Sequence, residues 1–295
     1  WIREIESRVD VILVHDIEVA RKLGRVRTQA ARVWDVHENN PAAISSRSYL
    51  PSYARRAVKH FVKRAEAKAE KRLHLMLAET SYQERFSREH PVVLNLPWVD
   101  PQAAPATPAE IKQRVVYVGS LTEARGIDEL EMVAGELQAD GIEVYLIGPA
   151  DDQAAQENLD EPPSNLRWLS RLPNHEAMAE VKTSIAGISL LKKTPNFIGS
   201  MPTKVLEYMA QGTPVITTEL PLAAEVVRKH DAGVVVPFDD IQATVDAVRL
   251  IAANPQLRQE MGQRGCSAAK ELYNWNQASR EFVSLLEGWA AAARQ

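Results

Sequence analysis

The residues of this chain best suited to chemistry are Lys204 and Glu207, near the start of a predicted short helix. They lie in the segment 199–216, which reads GSMPTKVLEYMAQGTPVI. Residues three apart in a helix occupy neighbouring positions on one face. The unpaired N–H groups of a helix start, with a lysine beside them, suit a phosphate, whereas a carboxylate one turn later suits a sugar diol. The helix therefore suits a ligand with both groups, such as a nucleotide sugar.

The surrounding residues predict where this helix begins and ends. Pro202 has a fixed φ that suits the first helical turn, and Gly212 suits the left-handed position that ends a helix. An apolar stripe is formed by Val205, Leu206, Met209 and Ala210. An ordinary amphipathic helix before a buried strand would explain the stripe and Gly212. It would not explain Lys204 and Glu207.

The run PTKVLEYMAQGTPVI at 202–216 resembles the donor-site segment of family-4 glycosyltransferases of the GT-B fold, especially bacterial cell-surface polysaccharide enzymes. The resemblance implies a retaining enzyme that moves a hexose from a UDP- or GDP-linked sugar to a glycan or lipid-linked acceptor. Many such enzymes carry a second acid eight positions before Glu207, where this chain has Gly199. The 199–203 backbone is therefore expected to contact the sugar instead. The donor-binding residues that the resemblance implies in this segment are Gly199, Ser200, Pro202, Thr203, Lys204 and Glu207.

A second candidate phosphate contact lies in the loop 117–126, between a predicted strand and a helix. Gly119 allows the backbone to approach a phosphate, although a glycine after a strand is often only a turn. The loop resembles the family's Gly-Arg-Leu…Lys-Gly pattern, with Ser120 at the first cation's place and Arg125 at the second's. Arg125 can contact phosphate oxygens in a bidentate manner.

Two further residues are assigned from the resemblance. Leu172 follows a predicted strand where relatives often place the nucleotide base, although a loop leucine commonly serves packing alone. His37 ends a strand of the first half and matches a histidine that relatives direct at the donor sugar. Its implied catalytic role is to orient a sugar hydroxyl or the acceptor. His15 occupies a similar position and is the weaker candidate.

The composition indicates a globular protein of two domains, with 295 residues, 45% hydrophobic and 25% charged. A net charge of −4 argues against a general nucleic-acid binder. One cysteine, Cys266, excludes an intramolecular disulfide, and no apolar run is long enough to span a bilayer. We therefore expect a cytoplasmic protein.

No cofactor or metal is expected, because the sequence has no Asp-x-Asp motif flanked by strand signals. The resemblance also implies that protein cations and helix dipoles neutralise the leaving diphosphate. Two alternatives to a transferase stay open. A nucleotide-sugar epimerase of the same fold would require catalytic carboxylates that the sequence does not locate, and a non-catalytic nucleotide-sugar-binding protein would keep Arg125 and Glu207.

Alternating strand and helix patterns predict an α/β fold with two doubly wound, Rossmann-like domains. We place an acceptor-side domain with its linker at 1–108, a nucleotide-sugar-binding domain at 109–273 and a C-terminal helix at 274–295 that returns to the first domain. The chain begins inside the strand–helix pattern, so the first domain is expected to be incomplete at its N-terminus. Its closing elements are predicted as a helix at 82–89 and a strand at 92–96.

A long basic helix is predicted at 51–73. Between Tyr53 and Arg72 it has eight Lys or Arg residues against two Glu. One interpretation is a solvated helix surface. The other is that the basic face, with Tyr49, Tyr53 and nearby apolar residues, binds the anionic inner face of a membrane, because many similar enzymes act on lipid-linked acceptors.

Overall fold

The computed structural model describes residues 8–41 and 51–294. The chain divides into two compact units. The first unit comprises Trp1–Leu96 and Trp275–Gln295, and the second comprises Pro97–Asn274. Both contain parallel sheets with helical connections, so the prediction of an α/β fold is confirmed.

The sheet of the first unit has three parallel strands in the order β1-β2-β3. The strands are β1 (Val11–Val14), β2 (Ala31–Val36) and β3 (His74–Leu77). Helix α1 (Ile17–Leu23) connects β1 to β2, and helix α2 (Ser52–Glu70) precedes β3. Trp34 and Leu77 are fully buried, as expected of strands covered on both faces.

The predicted strand at 92–96 is wrong. Val92 forms a single parallel bridge with Leu77, flanked by hydrogen bonds from Leu77 N to Pro91 O and from Val93 N to Leu77 O, both 2.9 Å long. Proline has no N–H to donate, so Pro91 and Pro97 on either side limit further pairing.

The predicted helix at 82–89 is also wrong, since the helical turns are 3₁₀ and span only Thr80–Arg85. The buried carboxylate of Glu70 accepts hydrogen bonds from the backbone N–H groups of Ser87 (2.7 Å) and Arg88 (3.0 Å). The N–H groups of Ser87 and Arg88 are therefore not available for helical hydrogen bonds, and the chain after Arg85 is irregular.

The sheet of the second unit has six parallel strands in the order β6-β5-β4-β7-β8-β9. The strands are β4 (Arg114–Val118), β5 (Glu143–Ile147), β6 (Leu166–Trp168), β7 (Ala186–Ser189), β8 (Val215–Thr218) and β9 (Gly233–Val236). The chain enters at β4, builds outward to β6, then crosses to β7 on the other side. This doubly wound order has its switch point between β4 and β7, where such sheets bind ligands beyond the carboxyl ends of the strands.

Seven helices surround this sheet in the described part of the second unit. They are α3 (Ile127–Leu137), α4 (Gln153–Asp160), α5 (Asn174–Lys182), α6 (Thr203–Ala210), α7 (Pro221–Lys229), α8 (Ile241–Ala253) and α9 (Pro255–Leu272). The sequence did not predict α4 or α7. The Asp152 side chain caps α4 by accepting a hydrogen bond from Ala155 N at 2.9 Å.

The Pro-rich segment 97–108 groups with the second unit, so the boundary near residue 108 is corrected to residue 97. Cys266 Sγ lies 3.6 Å from Ala103 O, and Pro105 packs so tightly on Gly212 that an added Cβ would lie 2.7 Å from Pro105 Cα. The segment is thus a packed strap instead of a loose linker.

The last helix, α10 (Trp275–Ala293), groups with the first unit. Trp289 stacks on His74 with ring centroids 5.0 Å apart, and Arg294 forms a 2.6 Å ion pair with Asp10. Among the described residues, no helix has the length and apolar character needed to cross a membrane.

Candidate functional site

The carboxyl ends of β4 and β7 are separated by the side chain of Tyr208, which projects from α6. Its hydroxyl accepts a hydrogen bond from Val118 N at 2.9 Å and lies 3.4 Å from Ile188 O, to which it donates. Gly187 makes room for the ring, because an added Cβ would overlap it. Tyr208 therefore supplies hydrogen-bond partners to backbone groups of both strands and separates their carboxyl ends at the switch point.

Lys204 lies one helical turn before Tyr208 and enters the same region. The residue is only 6% exposed, and its Nζ lies 3.5 Å from the centroid of the Tyr117 ring. Within the described residues this nitrogen has no hydrogen-bond partner and forms no ion pair. Gly119 has a φ of +134°, which L side chains rarely adopt, so a glycine is favoured there; an added Cβ would also lie 3.1 Å from Nζ.

Two basic side chains, Lys204 and Arg125, occur together here. Burial lowers the pKa of Lys204 well below its ordinary value, the positive charge of Arg125 lowers it further, and Glu207 opposes both effects. Burial raises the pKa of the neighbouring Tyr117 to about 12, and Arg125 acts in the opposite direction. The guanidinium of Arg125 lies 5.8 Å from the centroid of the Phe197 ring. No ion pair of the described residues involves Arg125 or Lys204. Neither basic side chain is therefore neutralised by a paired carboxylate.

The residues before α6 form a turn that leads into the helix. Pro202 is the N-cap, with φ −67° and ψ 111°, so its predicted place in the first turn is corrected and the helix begins at the exposed Thr203. The Ser200 hydroxyl lies 3.3 Å from Asn196 O and from Phe197 O, so it stabilises the turn. Gly199 is half-buried in the same turn. The N–H groups that begin a helix have no acceptor one turn earlier. In α6, Val205 N already donates to Pro202 O at 3.0 Å, which leaves the N–H groups of Thr203 and Lys204 for an anion.

Glu207 lies one turn further along α6 and is half-buried. Burial raises the pKa of its carboxyl, and the positive Lys204 opposes this effect. Its side chain lines a cavity of about 500 Å³ within the second unit. The other lining residues come from three segments: Pro97, Trp98, Val99, Asp100 and Ala103 of the strap; Asn174, His175, Met178, Ala179 and Lys182 of α5; and Ala210 and Gln211 of α6.

Leu172 lies between β6 and α5 and is half-buried. It does not line the cavity, whereas Asn174, two residues later, does. The structure therefore brings Gly119, Arg125 and Lys204 together at the switch point but does not bring Leu172 to the cavity wall.

In the first unit, His15 and His37 follow the adjacent strands β1 and β2. The buried Asp35 carboxylate joins them, because its Oδ2 lies 2.8 Å from His37 Nε2 and 3.4 Å from His15 Nδ1. The hydrogen bond to Asp35 raises the pKa of His37, although burial opposes this shift. Tyr82 donates to His37 O at 3.2 Å. Both His37 side chain and backbone are therefore held in place at the end of β2.

His15, Asp35 and His37 are also the one group of described residues with the geometry to hold a metal ion. Their ligand atoms lie within 4.8 Å of one another. The hydrogen bond from His37 to Asp35 and the 3.4 Å contact between His15 and Asp35 already account for this arrangement.

The geometry of the second unit can be compared with known proteins. Residues 102–267 match the family model described as glycosyl transferases group 1, which covers more than half of the chain. The chain belongs to this family. This agrees with the resemblance of the segment 202–216 to GT-B glycosyltransferases.

Two curated proteins illustrate the sequence relationship of this chain to known members of the family. A phosphatidyl-myo-inositol mannosyltransferase of Mycobacterium leprae is 24% identical over 59% of this chain and 46% of its own length. The putative colanic acid biosynthesis glycosyltransferase WcaL of Escherichia coli is 29% identical over 63% of this chain and 47% of its own length. The matched region thus spans about half of each curated relative.

Solved structures show the fold. Sucrose-phosphate synthase of Thermosynechococcus elongatus has a TM-score of 0.74 at 18% identity, covering 98% of this chain and 76% of its own. HepE of Anabaena, solved in complex with UDP, has a TM-score of 0.73 at 12% identity, covering 97% of this chain and 80% of its own. The fold is the two-domain GT-B fold, as predicted.

Sequence reasoning missed several residues that shape the site. Tyr208 was visible only as part of a predicted helix, and its bond to Val118 joins residues far apart in the chain. Trp98 was treated as part of a linker. A tryptophan directly after Pro97 was the available signal in the sequence, but only the structure shows that Trp98 and Glu207 line the same cavity.

Proposed function

We propose that this protein transfers a hexose from a nucleoside-diphosphate sugar to a glycan or lipid-linked acceptor, with retention of configuration. The observation that carries the proposal is the buried, unpaired ammonium of Lys204 beside Gly119 and Arg125 at the sheet's switch point. A buried charge without a partner costs stability, so its presence indicates a ligand that supplies the missing charge.

The chemistry follows from where negative charge develops. When the bond between the anomeric carbon and the diphosphate oxygen breaks, negative charge grows on the departing diphosphate. Arg125, Lys204 and the N-terminus of α6 stabilise that charge without rearranging during the reaction. Because two cations and a helix terminus are already in place, we propose that no metal ion is needed.

The donor's other groups are assigned by chemistry and resemblance. Glu207 accepts hydrogen bonds from the ribose diol, because its carboxylate is half-buried at the cavity wall one turn beyond Lys204. The proposed contribution of His37 is to bind a sugar or acceptor hydroxyl. Its hydrogen bond to Asp35 fixes the ring for that purpose. The structural neighbours include proteins solved with UDP, which supports a UDP-linked donor.

We also propose that α2 binds an anionic membrane surface. Its outward side chains combine Tyr53, 77% exposed, and Phe61, 58% exposed, with several lysines and arginines. Exposed aromatic residues beside basic ones suit the boundary between lipid headgroups and acyl chains. Tyr49, which we grouped with this surface, lies outside the described residues.

The donor site is tested by binding of UDP-, GDP- and dTDP-glucose, measured by thermal unfolding and calorimetry. We expect at least one to stabilise the protein, by about 2.7 kcal/mol at one hundred times its dissociation constant. Glu207→Gln should weaken binding about tenfold or more, because it removes the charged acceptor for two hydroxyls. Lys204→Met should abolish stabilisation by the diphosphate.

The control variant is Met132→Ala, since Met132 is 59% exposed on α3 and does not line the cavity. It should bind as the wild type does. The donor-site assignment is refuted if none of the three nucleotide sugars binds, or if all three variants bind them equally well.

A further inference from the structure

Trp98 is an exposed aromatic side chain in the wall of the same cavity that Glu207 lines. The residue is 66% exposed, although it lies in a strap that packs on the second unit. Pro97 restricts the backbone before it, and Val99 after it is buried at 3% exposure. The backbone is therefore restrained on both sides of Trp98, while the side chain itself stays exposed.

The cavity has the size and composition of a site for a planar, polar-edged molecule. Its volume of about 500 Å³ falls in the range of small-molecule sites. Met178 and Ala179 of α5 contribute apolar surface, and Asn174 and His175 contribute hydrogen-bonding groups at the start of that helix. A nucleobase combines a π face that stacks on aromatic rings with an edge of donors and acceptors.

The order of groups along α6 indicates which part of the donor reaches this cavity. Lys204 lies at the helix start, and Glu207 lies about 4.5 Å further along the axis. Ala210 and Gln211, which also line the cavity, follow toward the helix end. This order corresponds to diphosphate, ribose and base in a nucleotide.

We propose that Trp98 is the stacking platform for the donor's nucleobase. This inference rests on the proposed donor site. Trp98 supplies affinity for the nucleoside and none for the diphosphate. It therefore allows the protein to distinguish nucleotide donors from other diphosphates.

The test compares UDP with inorganic diphosphate by calorimetry, using wild type, Trp98→Ala and Trp98→Phe. Trp98→Ala should weaken UDP binding about tenfold to hundredfold, the range for loss of one base–aromatic stack. Binding of inorganic diphosphate should not change. Trp98→Phe keeps an aromatic face and should restore most of the affinity for UDP.

Tryptophan fluorescence gives a second readout. UDP should quench part of the wild-type emission, and Trp98→Phe should remove that quenching while still binding UDP. Met132→Ala, outside the cavity, should match the wild type in both measurements.

The possible failures can be told apart. The stacking role is overturned if Trp98→Ala binds UDP as tightly as the wild type while Lys204→Met does not bind it. It is also overturned if Trp98→Ala weakens UDP-glucose but not UDP, which would assign the indole to the sugar, or if it weakens UDP and diphosphate equally. Failure of wild-type protein to bind UDP, GDP or any nucleotide sugar would overturn the donor site itself.

Discussion

At the scale of single residues, Lys204 combines two features that rarely occur together. It is buried, and within the described residues its ammonium has no hydrogen-bond or ion-pair partner. Its contact with the Tyr117 ring and the opposing carboxylate of Glu207 compensate for only part of the lost hydration. The proposed donor would replace that hydration with phosphate oxygens. In the ligand-free protein, the burial of Lys204 should accordingly lower the free energy of unfolding.

We predict that Lys204→Met stabilises the ligand-free protein by about 1–4 kcal/mol, because a thioether of similar length replaces an uncompensated charge. The gain should be largest at low pH. The pKa of Lys204 is lowered in the folded protein, so at low pH the lysine is charged in both states and the burial penalty is complete. As pH rises between the folded and unfolded pKa values, the folded lysine loses its proton and wild-type stability increases.

Urea unfolding of both proteins across a range of pH measures this difference. Lys193→Met provides the control, because Lys193 is exposed in the same unit and should show neither effect. A Lys204→Met protein less stable than wild type at every pH would show that the ammonium is already compensated.

At the scale of secondary-structure elements, α2 differs from its predicted pattern. Helical periodicity places five apolar residues of α2 on one face: Ala54, Val58, Phe61, Ala65 and Ala69. Ala65 and Ala69 are buried, whereas Val58 and Phe61 are exposed at 39% and 58%. Periodicity locates an apolar stripe but does not say how much of it finds a partner. The exposed members of this face, Val58 and Phe61, are the ones that support the proposed membrane role.

We predict that the protein sediments with vesicles that contain phosphatidylglycerol but not with pure phosphatidylcholine vesicles. Reversing two exposed charges in Arg64→Glu/Lys68→Glu should reduce binding more than tenfold, since each basic residue near an anionic surface contributes about 1 kcal/mol. Phe61→Ser should reduce it further by removing an apolar anchor.

Lys193→Glu/Lys229→Glu is the matched control, because it makes the same change in net charge at exposed positions of the second unit. Equal losses in both double variants would mean that net charge, and not α2, governs the binding. Equal sedimentation with neutral and anionic vesicles would refute the electrostatic contribution.

At the scale of the whole molecule, the charge distribution matters more than the total. A chain of net charge −4 does not attract nucleotides through its general field. In the proposed donor site, the attraction comes from Arg125, Lys204 and the start of α6, which lie at the switch point of one sheet. Under this proposal, these protein cations have the role that a divalent ion would otherwise have.

We therefore predict that UDP binding is unchanged when divalent ions are removed with EDTA or supplied as excess Mg²⁺. Calorimetric titrations under the two conditions should give dissociation constants within about twofold, since no metal bridges protein and diphosphate. Affinity that falls tenfold or more in EDTA would show that a cation completes the site.

Features that depend on residues close together in the chain could be predicted from the sequence alone. The alternation of apolar strands and helices determined the α/β class, and Gly212 at φ +70° ends α6 as its sequence position predicts. Lys204 and Glu207 could be selected because their spacing places them on one face of a short helix, whereas Arg125 was assigned from the resemblance of its loop to the family pattern. These features depend on neighbours within a few residues, where backbone preferences and helical periodicity act.

Contacts between distant segments were decided only by the tertiary structure. The bond from Val118 N to the Tyr208 hydroxyl, the burial of Lys204 against Tyr117, and the shared cavity of Trp98 and Glu207 each join residues separated by about one-third of the chain. No local pattern encodes such pairs, because they arise when helices and strands pack and every buried polar group competes for a partner. Glu70 illustrates the same point, since its carboxylate takes the backbone N–H groups that a helix at 82–89 would have required.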